Sequence, residues 1–154
     1  MQIRRLVNKP LGQLLVEGGV ISKDQLDKAL EIQKQKGGLL GQILISLGVA
    51  DEKDIATAIT VQYGYPYLPL NNYEFDKNIV KIIPENVARQ YGLVVIDKLG
   101  DIITVAMFNP LNIQAIEDLE ILTKCKVQVF VSKLTDIEKI INECYKTERK
   151  EKKE

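Results

Sequence analysis

Apolar residues recur at the three- and four-residue spacing of an amphipathic helix in four segments of the first 66 residues. These segments form two pairs, because a shift of 29 positions lays the second pair over the first. In this register glycine falls on glycine, glutamine on glutamine, and apolar residues on apolar residues. The matched positions include Leu11 with Leu40, Gly12 with Gly41, Leu15 with Leu44, Leu26 with Ile55, Leu30 with Ile59, and Gln33 with Gln62. We interpret the match as an internal duplication, which predicts two helical hairpins related by a pseudo-two-fold axis.

Residues between the apolar stripes predict where these helices begin and end. Pro10 suits the first position of a helix, and the pair Gly18–Gly19 suits its end. Ser22 followed by Gln25 has the spacing of a capping box, which marks the start of the second helix. Asp51 takes the place of Ser22 in the second copy.

The pattern changes after the connector at 65–70, where two prolines disfavour helix. Runs of β-branched residues on either side of a short glycine-bearing linker predict a hairpin. Asn109 is predicted to cap the next helix, with Pro110 in its first turn. The predicted elements are strands at 93–96, 102–108 and 127–131 and helices at 75–83, 84–91, 111–123 and 135–145.

The predicted fold class is therefore α+β. A duplicated helical-hairpin subdomain spans 1–66, and a small α/β subdomain with a three-stranded sheet spans 67–147. The almost entirely charged tail at 148–154 is expected to be a frayed helix end or a linker. Tyrosines cluster at the boundary, where they either pack between the two halves or stack on a ligand base: Tyr63, Tyr65 and Tyr67.

Composition narrows the partners and the chemistry. Lys+Arg and Asp+Glu both number 21, so there is no electrostatic argument for nucleic acid or for an anionic membrane surface. No apolar run is long enough to insert into a membrane. Without histidine, a mixed Cys/His zinc site and a Ser-His or Cys-His catalytic pair are excluded. Cys125 and Cys144 are interpreted as core residues in a reducing compartment, with a disulfide between them as the alternative.

The twice-written pattern LGxxL…G…L..AL..Q resembles the MshEN-type helical repeat. That repeat lies in the N-terminal region of the type II secretion and type IV pilus assembly ATPases. The second half is similar to the domain that follows this repeat in those ATPases. The residues that carry the similarity are Ile83–Pro84, Ala88, the run at 105–110, Ile137 and Tyr145. The family usually has Asp where Asn109 stands, and Asn keeps the capping chemistry.

This resemblance implies a non-catalytic regulatory or adaptor domain that docks to a partner protein. The expected partner is an inner-membrane platform protein or an ATPase component of the secretion or pilus system. The expected location is the cytoplasm, peripheral to the inner membrane through that partner.

We expect no enzyme activity from this chain. In the family a nucleotide-hydrolysing domain follows this region, and this sequence has no G-x-x-x-x-G-K-[ST] motif. Carboxylates such as Asp24, Glu31, Asp51 and Asp54 are predicted to lie on solvated helix faces, and none is paired with a nucleophile. The chain is expected to be either the N-terminal part of a longer ATPase or a free-standing module.

The resemblance also implies a second hypothesis, a receptor for cyclic di-GMP. Two equivalent half-sites suit a ligand with two equivalent halves. In this view the glycines approach phosphates, the apolar residues line the purines, and the glutamines bind base edges. The alternatives are core packing, close helix contact, and glutamines that hold a loop of the partner repeat. The candidate residues are Lys9, Leu11, Gly12, Leu15, Leu26, Leu30, Gln33, Leu40, Gly41, Leu44, Ile55, Ile59 and Gln62.

One departure from the family weakens this second hypothesis. Ligand-binding members carry Arg before the first LG, where a planar guanidinium holds phosphate or stacks on guanine. This sequence has Pro10 there and Leu39 at the equivalent place in the second copy. We therefore predict weak or lost affinity for cyclic di-GMP. Any ligand-driven movement of the halves is expected at the connector.

Overall fold

A computed structural model of the protein describes residues 10–71 and 73–153, which form eight helices and a three-stranded sheet. This architecture confirms the predicted α+β fold class. The helices are α1 Leu11–Glu17, α2 Lys23–Lys36, α3 Leu40–Ser46, α4 Glu52–Tyr63, α5 Lys77–Val80, α6 Glu85–Tyr91, α7 Ile113–Thr123 and α8 Leu134–Lys153. The strands are β1 Leu93–Leu99, β2 Ile102–Met107 and β3 Lys126–Val131.

The two sequence copies fold alike down to the hydrogen bonds of their turns. Helices α1 and α3 start 29 positions apart, as do α2 and α4. After the first helix of each copy the chain turns through a left-handed glycine, Gly19 at φ 74° and Gly48 at φ 72°. The amide after this glycine donates back to a carbonyl of the helix. In the first copy Val20 N donates to Leu15 O at 2.9 Å, and in the second copy Val49 N donates to Leu44 O at 3.2 Å. The duplication is therefore structural as well as sequential.

Both predicted caps are present at the second helix of each copy. Ser22 Oγ accepts from the Gln25 amide at 3.1 Å, and Gln25 Oε1 accepts from the Ser22 amide at 2.9 Å. Asp51 and Asp54 make the same reciprocal pair at 2.7 and 3.4 Å. Each cap satisfies otherwise unpaired amides of the first turn, which stabilises a helix by about 1 kcal/mol.

The four helices pack in a pattern that agrees with a pseudo-two-fold relation. Helix α1 contacts α2, α3 and α4, and α3 also contacts α2 and α4. Exchanging the copies maps the contact of α1 with α4 onto that of α3 with α2. Fully buried side chains from both copies form the centre of this subdomain: Leu14, Leu15, Leu44, Ile55 and Ile59.

The sheet carries the second subdomain, in the order β1-β2-β3. Strands β1 and β2 form the predicted antiparallel hairpin, and β2 pairs in parallel with β3 after the crossover through α7. The first four residues of β1 are all buried, whereas its last three are exposed beyond a register shift between Val95 and Asp97. The hairpin tip thus extends past the packed core.

Three predicted helices in this subdomain had wrong bounds. The helix expected at 75–83 is reduced to α5, because Asp76 caps it by accepting from the Asn78 amide and the chain then turns towards Pro84. Helix α7 begins at Ile113, two residues later than expected. Asn112 is its N-cap, and Asn109 instead accepts from the Leu111 amide at 3.2 Å in a preceding turn. Helix α8 continues past 145 through most of the predicted tail, to Lys153.

The connector between the halves is bound to the sheet. The Leu68 amide donates to Val131 O at 2.9 Å, and the Val131 amide donates to Pro66 O at the same distance. Ser132 Oγ donates to Leu68 O at 2.8 Å. The connector therefore covers the free edge of β3 at its end instead of acting as a loose linker.

No helix in the described part of the chain is long and apolar enough to cross a membrane.

Candidate ligand-binding site

Five of the thirteen candidate residues lie in the core of the helical subdomain. They are at most 5% exposed: Leu11, Leu15, Leu44, Ile55 and Ile59. In this structure these side chains pack among the helices of the subdomain, and their role in binding a ligand stays a prediction.

Three other candidates, Gly12 and Leu26 of the first copy and Leu40 of the second, meet beside α1, and Leu30 lies one turn along α2 from Leu26. Gly12 is buried, and a Cβ placed on it would lie 2.4 Å from Leu26 Cδ1 and 3.2 Å from Leu40 Cδ2. Leu26 and Leu40 are half-buried, and Leu30, one turn along α2, is 42% exposed. We call Gly12, Leu26, Leu30 and Leu40 the first-copy cluster. Gln33 lies on the next turn of the same helix, where its Nε2 donates to Gly38 O at 3.0 Å.

The equivalent surface of the second copy is covered by the second subdomain. A Cβ on Gly41 would lie 2.1 Å from Phe108 Cε1, so the ring of Phe108 occupies the space that Gly41 leaves. Leu39, which matches Pro10 in the second copy, reaches to 3.1 Å from the Cβ position of Gly92. The two predicted half-sites are therefore not equally open, because one face of the helical subdomain serves to bind the other half of the molecule.

Gln62 lies against the first copy, as one of the two sequence-based interpretations requires. Its Nε2 is 2.5 Å from the Cβ position of Gly18, in the turn after α1. A larger residue at Gly18 would displace it. Lys9, the remaining candidate, lies outside the described residues.

The two cysteines are both buried and free of a disulfide, as the core interpretation expects. Burial raises the pKa of the Cys144 thiol, and nearby Lys77 opposes that shift only in part. A thiol held protonated in this way is a poor nucleophile and a poor metal ligand. In the described ranges no three Cys, Asp or Glu side chains are grouped to hold a metal ion.

A second, unpredicted cleft of about 440 Å³ lies between the outer face of α4 and the second subdomain. Its walls are Lys53, Ala56, Thr57, Thr60, Val61, Tyr67 and Lys133. Of these residues only Tyr67 was a candidate from the sequence, as a ring that packs between the halves or stacks on a ligand base; the others lie at positions that the two copies do not share. The outward positions at which the copies differ carried the signal.

Comparison with known proteins identifies the family of the chain. Residues 63–151 match the family model described as the MshEN domain. This match lies on the second subdomain, whereas the sequence analysis based the MshEN resemblance on the duplicated repeat at 11–62. The type IV pilus assembly ATPase PilB of Myxococcus xanthus is 33% identical over 135 residues. This match covers 88% of the chain but 24% of the ATPase, so the chain spans about a quarter of that relative's length.

Two solved structures share the fold over most of its length. The structure described as MshE with cdg is 32% identical, has a TM-score of 0.64, and is matched over 89% of this chain and 99% of its own. The N-terminal domain of XpsE is 18% identical, with a TM-score of 0.68 over 92% of this chain and 97% of its own. The second likeness concerns the fold alone.

Proposed function

Because the chain belongs to the MshEN domain family, we propose that it is a non-catalytic regulatory and adaptor domain of a bacterial type IV pilus or type II secretion system. In this role it docks to another component of the assembly machinery on the cytoplasmic side of the inner membrane. The expected partner is the cytoplasmic part of an inner-membrane platform protein or an ATPase component.

The similarity to the MshE structure is the observation that carries this proposal. It includes the helical repeats and the sheet subdomain together, at 32% identity over 89% of the chain. The likeness to a pilus assembly ATPase falls on the same stretch and leaves the rest of that enzyme unmatched. A domain of this kind acts through what it binds, and its rigid attachment of two subdomains suits an adaptor.

The non-catalytic part of the proposal rests on the chemistry of the side chains. The sequence has no histidine and no phosphate-binding loop, and both cysteines are buried. We expect no release of phosphate from ATP above background by the pure chain, measured with a coupled phosphate assay. Turnover that copurifies with the monomer peak on size exclusion would contradict this expectation.

Docking is tested by interferometry with the immobilised cytoplasmic segment of the platform protein from the same assembly system. Exposed apolar side chains on four separate elements serve as probes: Leu30 on α2, Val61 on α4, Leu99 on the hairpin and Ile121 on α7. Each of these residues is changed to Ser in a separate variant. The variant that weakens binding identifies the docking surface, and the variants that bind normally are its controls. A chain that binds neither a platform segment nor an ATPase component would refute the adaptor role.

Cyclic di-GMP reception is the second candidate function. The description of the related MshE structure as a complex with cdg favours it, since we take cdg to be cyclic di-GMP. The first-copy cluster supports it as well, because Leu30 and the half-buried Leu26 and Leu40 present an apolar surface beside a buried glycine. Against tight binding stand Pro10 in place of the family arginine and the ring of Phe108 over Gly41.

Isothermal titration with cyclic di-GMP tests this second function. We expect a Kd weaker than about 10 μM for the natural sequence. Pro10 is exposed and precedes α1, so Pro10→Arg can restore the guanidinium without disturbing the core. We expect that variant to gain about tenfold in affinity, and Leu30→Ser to remove the gain. Tight stoichiometric binding by the natural sequence would disprove the predicted loss, and a Pro10→Arg variant that does not bind would argue against the site.

A further inference from the structure

The cleft beside α4 differs in chemistry from the outer face of an ordinary surface helix. The duplication supplies the comparison, because α2 is the equivalent helix of the first copy. At five matched outward positions α2 has mostly charged and α4 mostly uncharged side chains. The pairs are Asp24 and Lys53, Asp27 and Ala56, Lys28 and Thr57, Glu31 and Thr60, and Ile32 and Val61. On this face α4 therefore lacks the three carboxylates of α2, carries one lysine as α2 does, and has two hydroxyls that α2 lacks.

Covering by the rest of the protein accounts for only part of this change, because Ala56 is 5% exposed and Thr60 is half-buried, whereas Lys53 and Thr57 remain exposed. Val61 remains 77% exposed and Tyr67 39% exposed, and the space between α4, Tyr67 and Lys133 is about 440 Å³. A cavity of this size is in the range of small-molecule sites. The face is therefore still available to a ligand.

Thr60 presents a buried hydroxyl without a partner. Its Oγ1 makes no hydrogen bond in the described structure. Hydroxyls in other helices satisfy themselves on the carbonyl four residues back, as Ser46 does on Gln42 at 3.0 Å and Thr123 on Leu119 at 2.7 Å. A buried polar atom left unpaired costs about 1 to 3 kcal/mol. A bound polar group in the cleft would remove that cost.

The charged groups of the cleft are both cationic. Lys53 and Lys133 line it, no carboxylate does, and neither lysine forms an ion pair with another described residue. The adjacent Glu52 is engaged elsewhere, accepting from the Thr135 amide at 2.7 Å and from Thr135 Oγ1 at 2.8 Å. Its carboxylate is therefore fixed on α8. Two ammonium groups in a partly enclosed cleft favour an anion.

Tyr67 adds a flat aromatic wall on a fixed backbone. Its backbone forms a bridge with Val131, and the neighbouring Leu68 amide donates to Val131 O at 2.9 Å. A ring held in this way can stack on a planar group at little entropic cost, and such stacking contributes about 1 to 3 kcal/mol per base in nucleic-acid complexes.

We propose that this cleft binds a small organic anion that carries a planar ring, of the size of a nucleoside monophosphate. Lys53 and Lys133 bind the anionic group, Thr60 donates to or accepts from a polar edge, and Tyr67 stacks on the ring. The site is separate from the first-copy cluster, since it is built on α4 and the second subdomain.

The proposal is tested by following amide chemical shifts of the full chain while adding AMP, GMP, CMP and UMP. We expect at least one to saturate with a Kd of about 0.1 to 1 mM, with shifts at 53–61, Tyr67 and Lys133. If AMP is a ligand, two compounds should each bind about tenfold more weakly than AMP: adenosine, which lacks the anion, and inorganic phosphate, which lacks the ring. For GMP, CMP and UMP the matching nucleoside takes the place of adenosine.

Variants separate this site from general charge effects. The double variant Lys53→Gln, Lys133→Gln should weaken binding about tenfold or more. Thr60→Val should weaken binding about threefold, and it should still fold because the substitution removes the unpaired hydroxyl. Lys28→Gln, on the matching face of α2, is the control and should bind normally. The proposal is overturned if no monophosphate saturates, if the double lysine variant binds as well as the natural sequence, or if the shifts fall on the first-copy cluster.

Discussion

The two halves of the molecule pack closely at Gly41 because this residue has no side chain. The ring of the buried Phe108 lies where its Cβ would be, so the glycine admits an aromatic group from the second subdomain onto the surface of α3. Gly12 holds the same position in the first copy but meets only the ends of leucine side chains. Two glycines that look identical in the repeat therefore have different tolerances.

Gly41→Ala should destabilise the protein by about 1 to 3 kcal/mol, because the rigid ring of Phe108 must move to admit the methyl group. Gly12→Ala is the matched variant. The half-buried Leu26 can shift, and alanine favours helix by about 1 kcal/mol over glycine, so its net effect should be within about 1 kcal/mol of zero. Urea unfolding of both variants checks the difference. Equal effects at the two sites would contradict this account of the interface.

Tyr91 is expected to make stability depend on alkaline pH. Its hydroxyl hydrogen-bonds the Asp118 carboxylate, and this bond, with smaller effects of burial and of the charge of Asp118, raises the pKa of Tyr91 above its ordinary value of 10.0. Because the pKa of Tyr91 is raised in the folded state, its hydrogen bond contributes fully to the free energy of unfolding below pH 10. That contribution is lost as pH rises through the folded-state pKa. Tyr91→Phe should therefore lose less stability between about pH 8 and 11 than the natural sequence.

Urea midpoints at several pH values measure this effect. Because the two proteins differ only at this residue, the difference between the two curves isolates Tyr91. Parallel curves would show that the hydrogen bond does not persist in solution.

At the scale of elements, the first turn of α8 in the second half is capped by a residue of the first half. Glu52 belongs to the first turn of α4, yet both of its carboxylate oxygens bind Thr135 in the first turn of α8. One carboxylate thus satisfies an amide that α8 itself leaves unpaired, and it also complements the positive end of that helix dipole. The contact links residues that are far apart in the chain.

Glu52→Ala should cost about 1 to 2 kcal/mol, in the range of a lost helix cap. Hydrogen exchange should accelerate at the start of α8, while the amides of α2 stay protected. Asp24→Ala, at an exposed position next to the cap of α2, serves as the control for removing an acidic residue near a helix start. An unchanged hydrogen-exchange rate at the Thr135 amide would contradict the proposed capping of α8 by Glu52.

At the scale of the whole molecule, the two subdomains share one hydrophobic core. Buried side chains run without interruption from α1 to α8, and the connector is bonded to β3. We infer that the boundary near residue 66 divides the sequence pattern but not the folded unit, because neither half can bury its contact face alone.

The full chain should therefore unfold in a single cooperative transition. Far-ultraviolet circular dichroism and tyrosine fluorescence should give the same urea midpoint, since tyrosines lie in both halves. Two separated transitions would mean that the halves fold independently. Such a result would reopen the hinge hypothesis for the connector.

Much of the local structure could be predicted from the residues themselves. The capping pairs at Ser22 and Asp51, the turn glycines and the hairpin follow from chemistry within a few residues. The failures were also local in kind. Asn109 and Asn112 compete for the same helix start, and the choice of Asn112 depends on how the turn after β2 packs.

The candidate site was predicted less well, because shared sequence positions do not have shared surroundings. Leu30 and Ile59 occupy matching positions, yet Leu30 is 42% exposed and Ile59 fully buried. The repeat in the sequence therefore does not predict which of two matching positions is buried.

The duplication, the caps, the fold class and the family resemblance could be predicted from the residues alone, since each depends on spacings along the chain. Three features became visible only in the fold: which copy remains accessible, the ring of Phe108 beside Gly41, and the cleft that Lys53 and Lys133 share. They could not be predicted because these contacts join residues distant in sequence. Their geometry depends on how whole faces pack, and that packing leaves no periodic trace in a single chain.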